Sequence, residues 1–387
     1  MIQLIMFLFC GLIFSQVQID IDNIKSIEFN DGGWNYNPSF SPNGEYLAVE
    51  EWGGGSIDRV DMKTWIIDLN NINNKIRVKK SLESKKSLHC NGLQWSMSDP
   101  DYAYIKAILN RRTRFYKLNY RNLLDKQENY LIEWTGKIFG IGTKGNEIHS
   151  YALSEYGGDD IIIFCYYDKM DEKDLYGILS DGTREIILQG LESPYVQMEI
   201  NSVDDGYLSL IRTDSENNPE IIIMEDPVDE SDSQIFISPY KEKEKYIVYE
   251  KKLNINTSDQ LYLSYLAKRE EDKKNKVTNL YIVEEPFNNT IGEKVVESVH
   301  LVDKGTEQLL NFNHQWHPEY NIIFYIKRLQ ENDHFVLYAY HVDENREIVV
   351  NMKIEGIQHV AISPDGKKIS LCDIVPGRLW VGDLVIK

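Results

Sequence analysis

The chain has 387 residues, 42% of them hydrophobic and 27% charged. That excludes a disordered or fibrous chain and allows one large repeat fold or two modest domains. A formal net charge of −19 repels nucleic acid and anionic membrane surfaces and disfavours polyanionic substrates; it leaves solubility, or a cationic partner, as what the field serves. Tyr is abundant at 24 copies, Ile and Val recur and Ala is scarce, a bias toward strands.

Residues 1–14 are almost wholly apolar. The run is too short for a comfortable membrane span and suits the core of a secretory signal peptide cleaved near Ser15 or Gln16. No Lys or Arg precedes it and no small-x-small pattern marks the cut, so an uncleaved anchor or a buried first strand are the competing readings. The expectation is a signal peptide over residues 1–15. A periplasmic or secreted chain of residues 16–387 follows, with no integral membrane span. Cys10 lacks a lipoprotein context. Cys90, Cys165 and Cys372 form no Cys-x-x-Cys pair and lie in or beside apolar runs, which reads as buried free thiols.

The first clear unit is Asn37-Pro38-Ser39-Phe40-Ser41-Pro42-Asn43-Gly44-Glu45-Tyr46-Leu47-Ala48-Val49. It reads as strand, tight turn, strand: Pro42 presets φ and Asn43-Gly44 tolerates positive φ. A third strand-like piece follows at residues 65–69. The second unit takes residues 93–96, turns at Asp99-Pro100-Asp101, and continues over 102–105 and 114–118. The third takes 151–154, turns at Gly157-Gly158-Asp159, and continues over 161–166 and 174–178. The fourth takes 196–200, turns at Asp204-Asp205-Gly206, and continues over 207–211 and 220–224. An acidic run from Glu225 to Asp232 follows and reads as a solvated connector. The fifth unit is assigned Ile235-Phe236-Ile237 with Ser238-Pro239 as its first strand and turn, then 246–249, 261–266 and 279–283. The sixth takes Gln315-Trp316-His317-Pro318, then 322–326 and 335–340. The last, residues 360–372, repeats the first through Ser363-Pro364-Asp365-Gly366, and residues 378–384 match the third piece.

About seven units of roughly 45 to 50 residues match the period of a four-stranded propeller blade. The fold class is therefore all-β: a single β-propeller of four-stranded blades, with seven favoured over six.

The segments Phe40-Ser41-Pro42-Asn43-Gly44-Glu45-Tyr46-Leu47-Ala48 and Ile362-Ser363-Pro364-Asp365-Gly366-Lys367-Lys368-Ile369 resemble the repeat core of the TolB-like, WD-repeat-like propeller family, and Trp316-His317-Pro318 resembles a degenerate copy. The resemblance covers nearly all of the chain after residue 30. It implies a role in protein interaction, often in the periplasm; six blades would suit TolB itself. Similar repeats precede the hydrolase domain of prolyl-oligopeptidase-like enzymes, but this chain carries no Gly-x-Ser-x-Gly nucleophile elbow.

Residues just before each innermost strand approach the channel mouth of a propeller. Trp34, Asn35, Tyr36, Asn37, Asn91, Asn313, His314, Gln358 and His359 occupy such places, as candidate binding residues for a polar ligand or peptide; capping turns around a water-filled channel is the competing role. His89, His314, His317 and His359 raise a metal question, because some propeller lyases resembling these repeats hold a metal through axial His. On a strand, however, His314 and His317 point to opposite faces. No catalytic residue, metal or cofactor is assigned. The expected function is that of an exported, non-catalytic, monomeric scaffold for a protein or peptide partner, with no nucleic acid. The alternative is a propeller lyase or glycoside hydrolase acting on a glycan at the channel mouth.

Overall fold

In the computed structural model the described residues are 17–29, 33–53, 61–78, 89–109, 112–121, 131–133, 151–156, 158–167, 173–178, 184–188, 201–202, 207–213, 219–225, 234–237, 246–255, 260–269, 278–284, 293–298, 313–329, 334–354, 356–373 and 377–387. The apolar segment 1–15, the strand expected at 196–200, the turn expected at 204–206 and the acidic run after Glu225 lie outside them.

Among the described residues the strands form seven four-stranded antiparallel sheets. Blade 1 holds β2 (Trp34–Phe40), β3 (Tyr46–Gly53), β4 (Asp61–Asp68) and β5 (Lys75–Arg77). Blade 2 holds β6 (His89–Trp95), β7 (Tyr102–Leu109), β8 (Arg112–Asn119) and β9 (Leu131–Glu133). Blade 3 holds β10 (Tyr151–Tyr156), β11 (Asp159–Tyr167), β12 (Lys173–Ile178) and β13 (Arg184–Leu188). Blade 4 holds β14 (Asn201–Ser202), β15 (Tyr207–Thr213), β16 (Pro219–Glu225) and β17 (Gln234–Ile237). Blade 5 holds β18 (Tyr246–Ile255), β19 (Leu261–Arg269), β20 (Thr278–Glu284) and β21 (Glu293–Ser298). Blade 6 holds β22 (Gln315–Trp316), β23 (Ile322–Leu329), β24 (His334–His341) and β25 (Arg346–Val349). Blade 7 holds β26 (Ile357–Ile362), β27 (Lys368–Asp373), β28 (Arg378–Ile386) and, as its outermost strand, β1 (Ile19–Glu28).

First strands of neighbouring blades touch one another (β6 with β10, β10 with β14, β14 with β18, β22 with β26, β26 with β2), which makes them the inner strands; β4 against β6 and β21 against β23 complete the ring. The seven-bladed propeller expected from the repeat is thus the fold found. Among the described residues no helix is long and apolar enough to cross a membrane.

Period-two alternation explains why blades must stack. In β23, Ile322, Phe324 and Ile326 join the core shared with blade 7, while Ile323 and Tyr325 join the core shared with blade 5. Both faces are apolar, so a lone blade would leave one wet, at a cost of about 1.5–3 kcal/mol for each large side chain exposed.

Two sequence assignments need correction. Residues 235–237 are not the first strand of blade 5: they lie within β17, the outer strand of blade 4, paired with β16. Ser238-Pro239 imitates the turn motif, but Tyr240-Lys241 follow where Asx-Gly would be needed. The inner strand of blade 5 is β18. The second is β1, which none of the repeat units of the sequence includes. Ile19 pairs with Ile386 and Glu28 with Arg378, so the two ends of the chain close the ring in one sheet. The side chain of Asp20 in this clasp accepts hydrogen bonds from Lys387 Nζ (2.7 Å), Asn351 (2.9 Å) and Gln18 (2.9 Å). These bonds, Lys387 first, hold its carboxyl down to about 2. A depressed carboxylate contributes stability above its unfolded value and loses it as pH falls through the folded one, so the clasp keeps this contribution until strongly acid pH.

Candidate binding site at the channel mouth

The turns between first and second strands lie at one end of the ring. There, polar groups are consumed by the scaffold. Ser41 Oγ donates to Asn43 Oδ1 (2.7 Å) and accepts from the Tyr46 amide (3.0 Å). Ser363 Oγ does the same with Asp365 Oδ1 (2.6 Å) and the Lys368 amide (2.8 Å). Gly44 and Gly366 both sit at φ +68°, the left-handed region the turn requires.

In blade 6, His317 stands where these turns have Ser. Its Nδ1 accepts the amides of Glu319 (3.1 Å) and Tyr320 (3.2 Å), which leaves Nε2 to donate to the Gly366 carbonyl of blade 7 (3.1 Å). Burial pushes its pKa down, consistent with a neutral ring. A Cβ on Gly366 would fall 2.4 Å from the His317 ring. In blade 2, the carboxylate of Asp160 reaches over from blade 3 and takes the amides of Met97 (2.9 Å) and Ser98 (3.1 Å), the Ser96 hydroxyl and the Tyr104 hydroxyl (2.8 Å).

The opposite end is the mouth, where inner strands begin and second strands finish. Its buried charges are tied into the blades. Glu51, fully buried, accepts the Gly33 amide (3.1 Å) and the Trp65 indole (2.7 Å), with Lys63 Nζ at 4.0 Å. Blade 7 repeats the device: the Trp380 indole donates to Asp373 Oδ2 (3.3 Å). Glu50 accepts from Asn37 Nδ2 (3.1 Å) and from the amide of Gly92 in blade 2. Burial raises its pKa, against the pull of Gly92, Asn37 and the nearby Lys106. Tyr151 of blade 3 donates to the carbonyls of Gly92 and Tyr104 (3.0 Å to the latter). Gly92 thereby links three blades. Sequence reasoning did not single out Glu50, Glu51 or Lys106. The signal was the superposition of the two best turn motifs, which places Glu51 on Asp373; strand pairing then sets Trp65 opposite Val49 and Trp380 opposite the equivalent Leu371.

The candidate residues divide by what they touch. Asn313 is a fastener: its Nδ2 donates to the Val360 carbonyl (2.8 Å) and its Oδ1 accepts the Val360 amide (2.7 Å), joining blade 6 to blade 7. His314 bonds Ser264 of blade 5 at 2.7 Å, and Ser264 also accepts the Trp316 indole (2.7 Å). His314 and His317 thus engage different blades, 5 and 7. Asn37, at φ +48° in a β-bulge, is committed to Glu50. Asn91 lies in β6, opposite Lys106 in the register, and its side chain is outside the described residues, as is that of His89. Trp34 is half-buried. His359 is buried, its ring 6.3 Å from that of Tyr36.

Asn35 differs. It is completely buried, and neither its Nδ2 nor its Oδ1 has a partner among the described residues. The hydroxyl of Tyr36 is buried without a partner as well. Burial first, and then Glu50, push its pKa up, so it remains a phenol. Gln358 is 5% exposed, and its amide is not among the buried atoms left without a partner. An unmatched buried polar group costs about 1–3 kcal/mol. Midway along β27 the Ser370 hydroxyl is also unpartnered. Among the described residues no group of three or more His, Cys, Asp and Glu side chains is arranged to hold a metal, and Cys372 is a buried free thiol.

No protein-family model and no curated protein sequence matches the chain. Solved structures do. An oligogalacturonate lyase in complex with manganese is similar over 95% of this chain and 96% of its own, at 12% identity and a TM-score of 0.55. The Neurospora crassa Pan2 WD40 domain is similar over 92% and 93%, at 9% identity and a TM-score of 0.52. The Dos1 propeller is similar over 94% and 95%, at 12% identity and a TM-score of 0.50. The likeness establishes the β-propeller fold. It spans a lyase, a WD40 domain and a further propeller alike, and a shared propeller does not carry a shared activity.

Proposed function

We propose that this chain is an exported, TolB-type propeller that acts as a monomeric, non-catalytic scaffold, holding a protein or peptide partner at its channel mouth. The TolB-type assignment rests on the two Ser-Pro-Asx-Gly turns, and export rests on residues 1–14. The observation that carries the binding reading is the division of labour at the mouth. The acids Glu50, Glu51 and Asp373 and the base His314 each have scaffold partners. Open hydrogen-bonding capacity among the described residues there includes the amide of Asn35 and the phenol of Tyr36. Catalysis of glycan cleavage calls for titratable groups free to exchange protons with a substrate. Recognition calls for donors and acceptors left open. The net charge of −19 suits a partner that is neutral or basic and disfavours nucleic acid.

A second reading, a glycan-cleaving enzyme, is favoured by one observation: Glu50 is a buried carboxyl with a raised pKa at the mouth, near Lys106. Panning a displayed peptide library on the full chain, alongside incubation with a panel of oligosaccharides, separates the two. Enriched peptides recovered intact, with no oligosaccharide consumed, are the expected result. An oligosaccharide cleaved by the chain and spared by Glu50→Gln would overturn the scaffold reading, as would a library without enrichment.

A further inference from the structure

The turns between first and second strands of blades 1 and 7 are held by a serine hydroxyl, which does not titrate. The corresponding turn of blade 6 is held by a base, His317. Two amide N–H groups, those of Glu319 and Tyr320, point at its Nδ1 from 3.1 and 3.2 Å. Nδ1 must therefore present a lone pair, and a proton there would meet two other donors. Nε2 carries the hydrogen and donates a bond to the Gly366 carbonyl of blade 7 at 3.1 Å. The residue is 2% exposed, and its Cε1 and Nε2 occupy the place where a side chain on Gly366 would begin. The Tyr320 ring packs on it, with centroids 4.8 Å apart. One protonation state and one tautomer fit this pocket.

We propose that this turn is an acid-sensitive latch between blades 6 and 7: protonation sets an Nδ1–H of His317 against two amide N–H groups, drives the imidazole from its pocket and frees the backbone groups of Glu319, Tyr320 and Gly366 that it held. The charged groups acting on the imidazole are the carboxylates of Glu319, on its own turn, and Asp365, on the blade 7 turn. Lys367, next to Gly366, is exposed, and its amide is bonded to Asp365. Both carboxylates are exposed, so they draw an imidazolium outward to solvent. Inside the pocket, burial holds the imidazole neutral against the Gly366 bond and these two charges. An opened turn takes up the proton near the ordinary value of 6.5, and the packed imidazole only at lower pH. The latch is therefore fully held above that ordinary value and is lost as pH falls through the folded one. The clasp does not open with it, because Asp20 stays ionised down to about 2. Acid thus loosens the contact of blades 6 and 7 at the turn end while the propeller remains closed, whatever the mouth binds.

The test is amide hydrogen exchange on the full chain, read by mass spectrometry at about pH 7.5 and about pH 5 and corrected for the intrinsic exchange rate at each pH. The serine turn of blade 1, residues 41–46, is the internal reference. Segment 317–322 should lose protection about tenfold or more at the lower pH, while the reference turn and the paired strands β1 and β28 keep theirs. His317→Asn supplies an amide oxygen as acceptor in the place of Nδ1 and does not titrate, so its segment 317–322 should exchange equally at both pH values. Equal protection of the wild-type segment at both pH values would overturn the proposal. So would a loss of the same size in the reference turn, or a loss at low pH that persists in His317→Asn. Where that variant fails to fold, the contrast between the two wild-type turns carries the test.

Discussion

The two ends of this ring are built from the same strands and treat their polar groups in opposite ways. At the turn end, Ser41, Ser363, His317 and Asp160 each satisfy two or more groups of the scaffold. At the mouth the acids Glu50, Glu51 and Asp373 are satisfied, while the Asn35 amide and the Tyr36 phenol are buried without a partner among the described residues. A fold under selection for stability alone would not retain an orphaned buried amide, since an apolar side chain of similar shape is neutral or better. The difference therefore separates what the ring needs to close from what it keeps for something else.

That contrast can be broken most forcefully at the turn end. Gly366→Ala demands a left-handed Ala and drives its Cβ into the His317 ring, so urea unfolding should show a loss of about 3 kcal/mol. A loss below a third of that would mean the ring moves aside. Ser41→Ala removes the bonds to Asn43 and to the Tyr46 amide and should lose about 1.5 kcal/mol by the same measurement. At the mouth the sign reverses. The folded chain holds the Glu50 proton more tightly than the unfolded chain does, so its contribution is fully present below the unfolded value near 4.5 and is lost as pH rises through the folded one. Glu50→Gln should therefore be more stable than wild type at pH above neutrality, with the gap closing toward pH 4. A wild type that gains on the variant as pH rises would show that Lys106, Asn37 and Gly92 outweigh burial.

Much of the fold was legible because Ser-Pro-Asx-Gly turns are local chemistry: a preset φ, a left-handed Gly and a side chain that folds back on its own turn. The clasp was not found by that route, because β1 has no turn of its own and pairs with the far end of the chain. Its alternation, with Ile19 and Ile21 buried at 0% and 7%, was the available sign. The site was legible in position and not in role. Asn313 and Asn35 are the same residue type just before or within the start of an inner strand, yet one amide is bonded twice to Val360 and the other to no described residue. What distinguishes them is the strand that stands opposite in the neighbouring blade, and no local pattern encodes that.

The central claim is that the scaffold makes no use of the Asn35 amide, and urea unfolding of Asn35→Leu tests it most directly. The account predicts a stability equal to that of the wild type or greater, because an unmatched buried amide is exchanged for an apolar side chain of similar shape. A loss of about 2 kcal/mol or more would show that the amide is bonded within the fold, and Asn35 would then be part of the ring's closure.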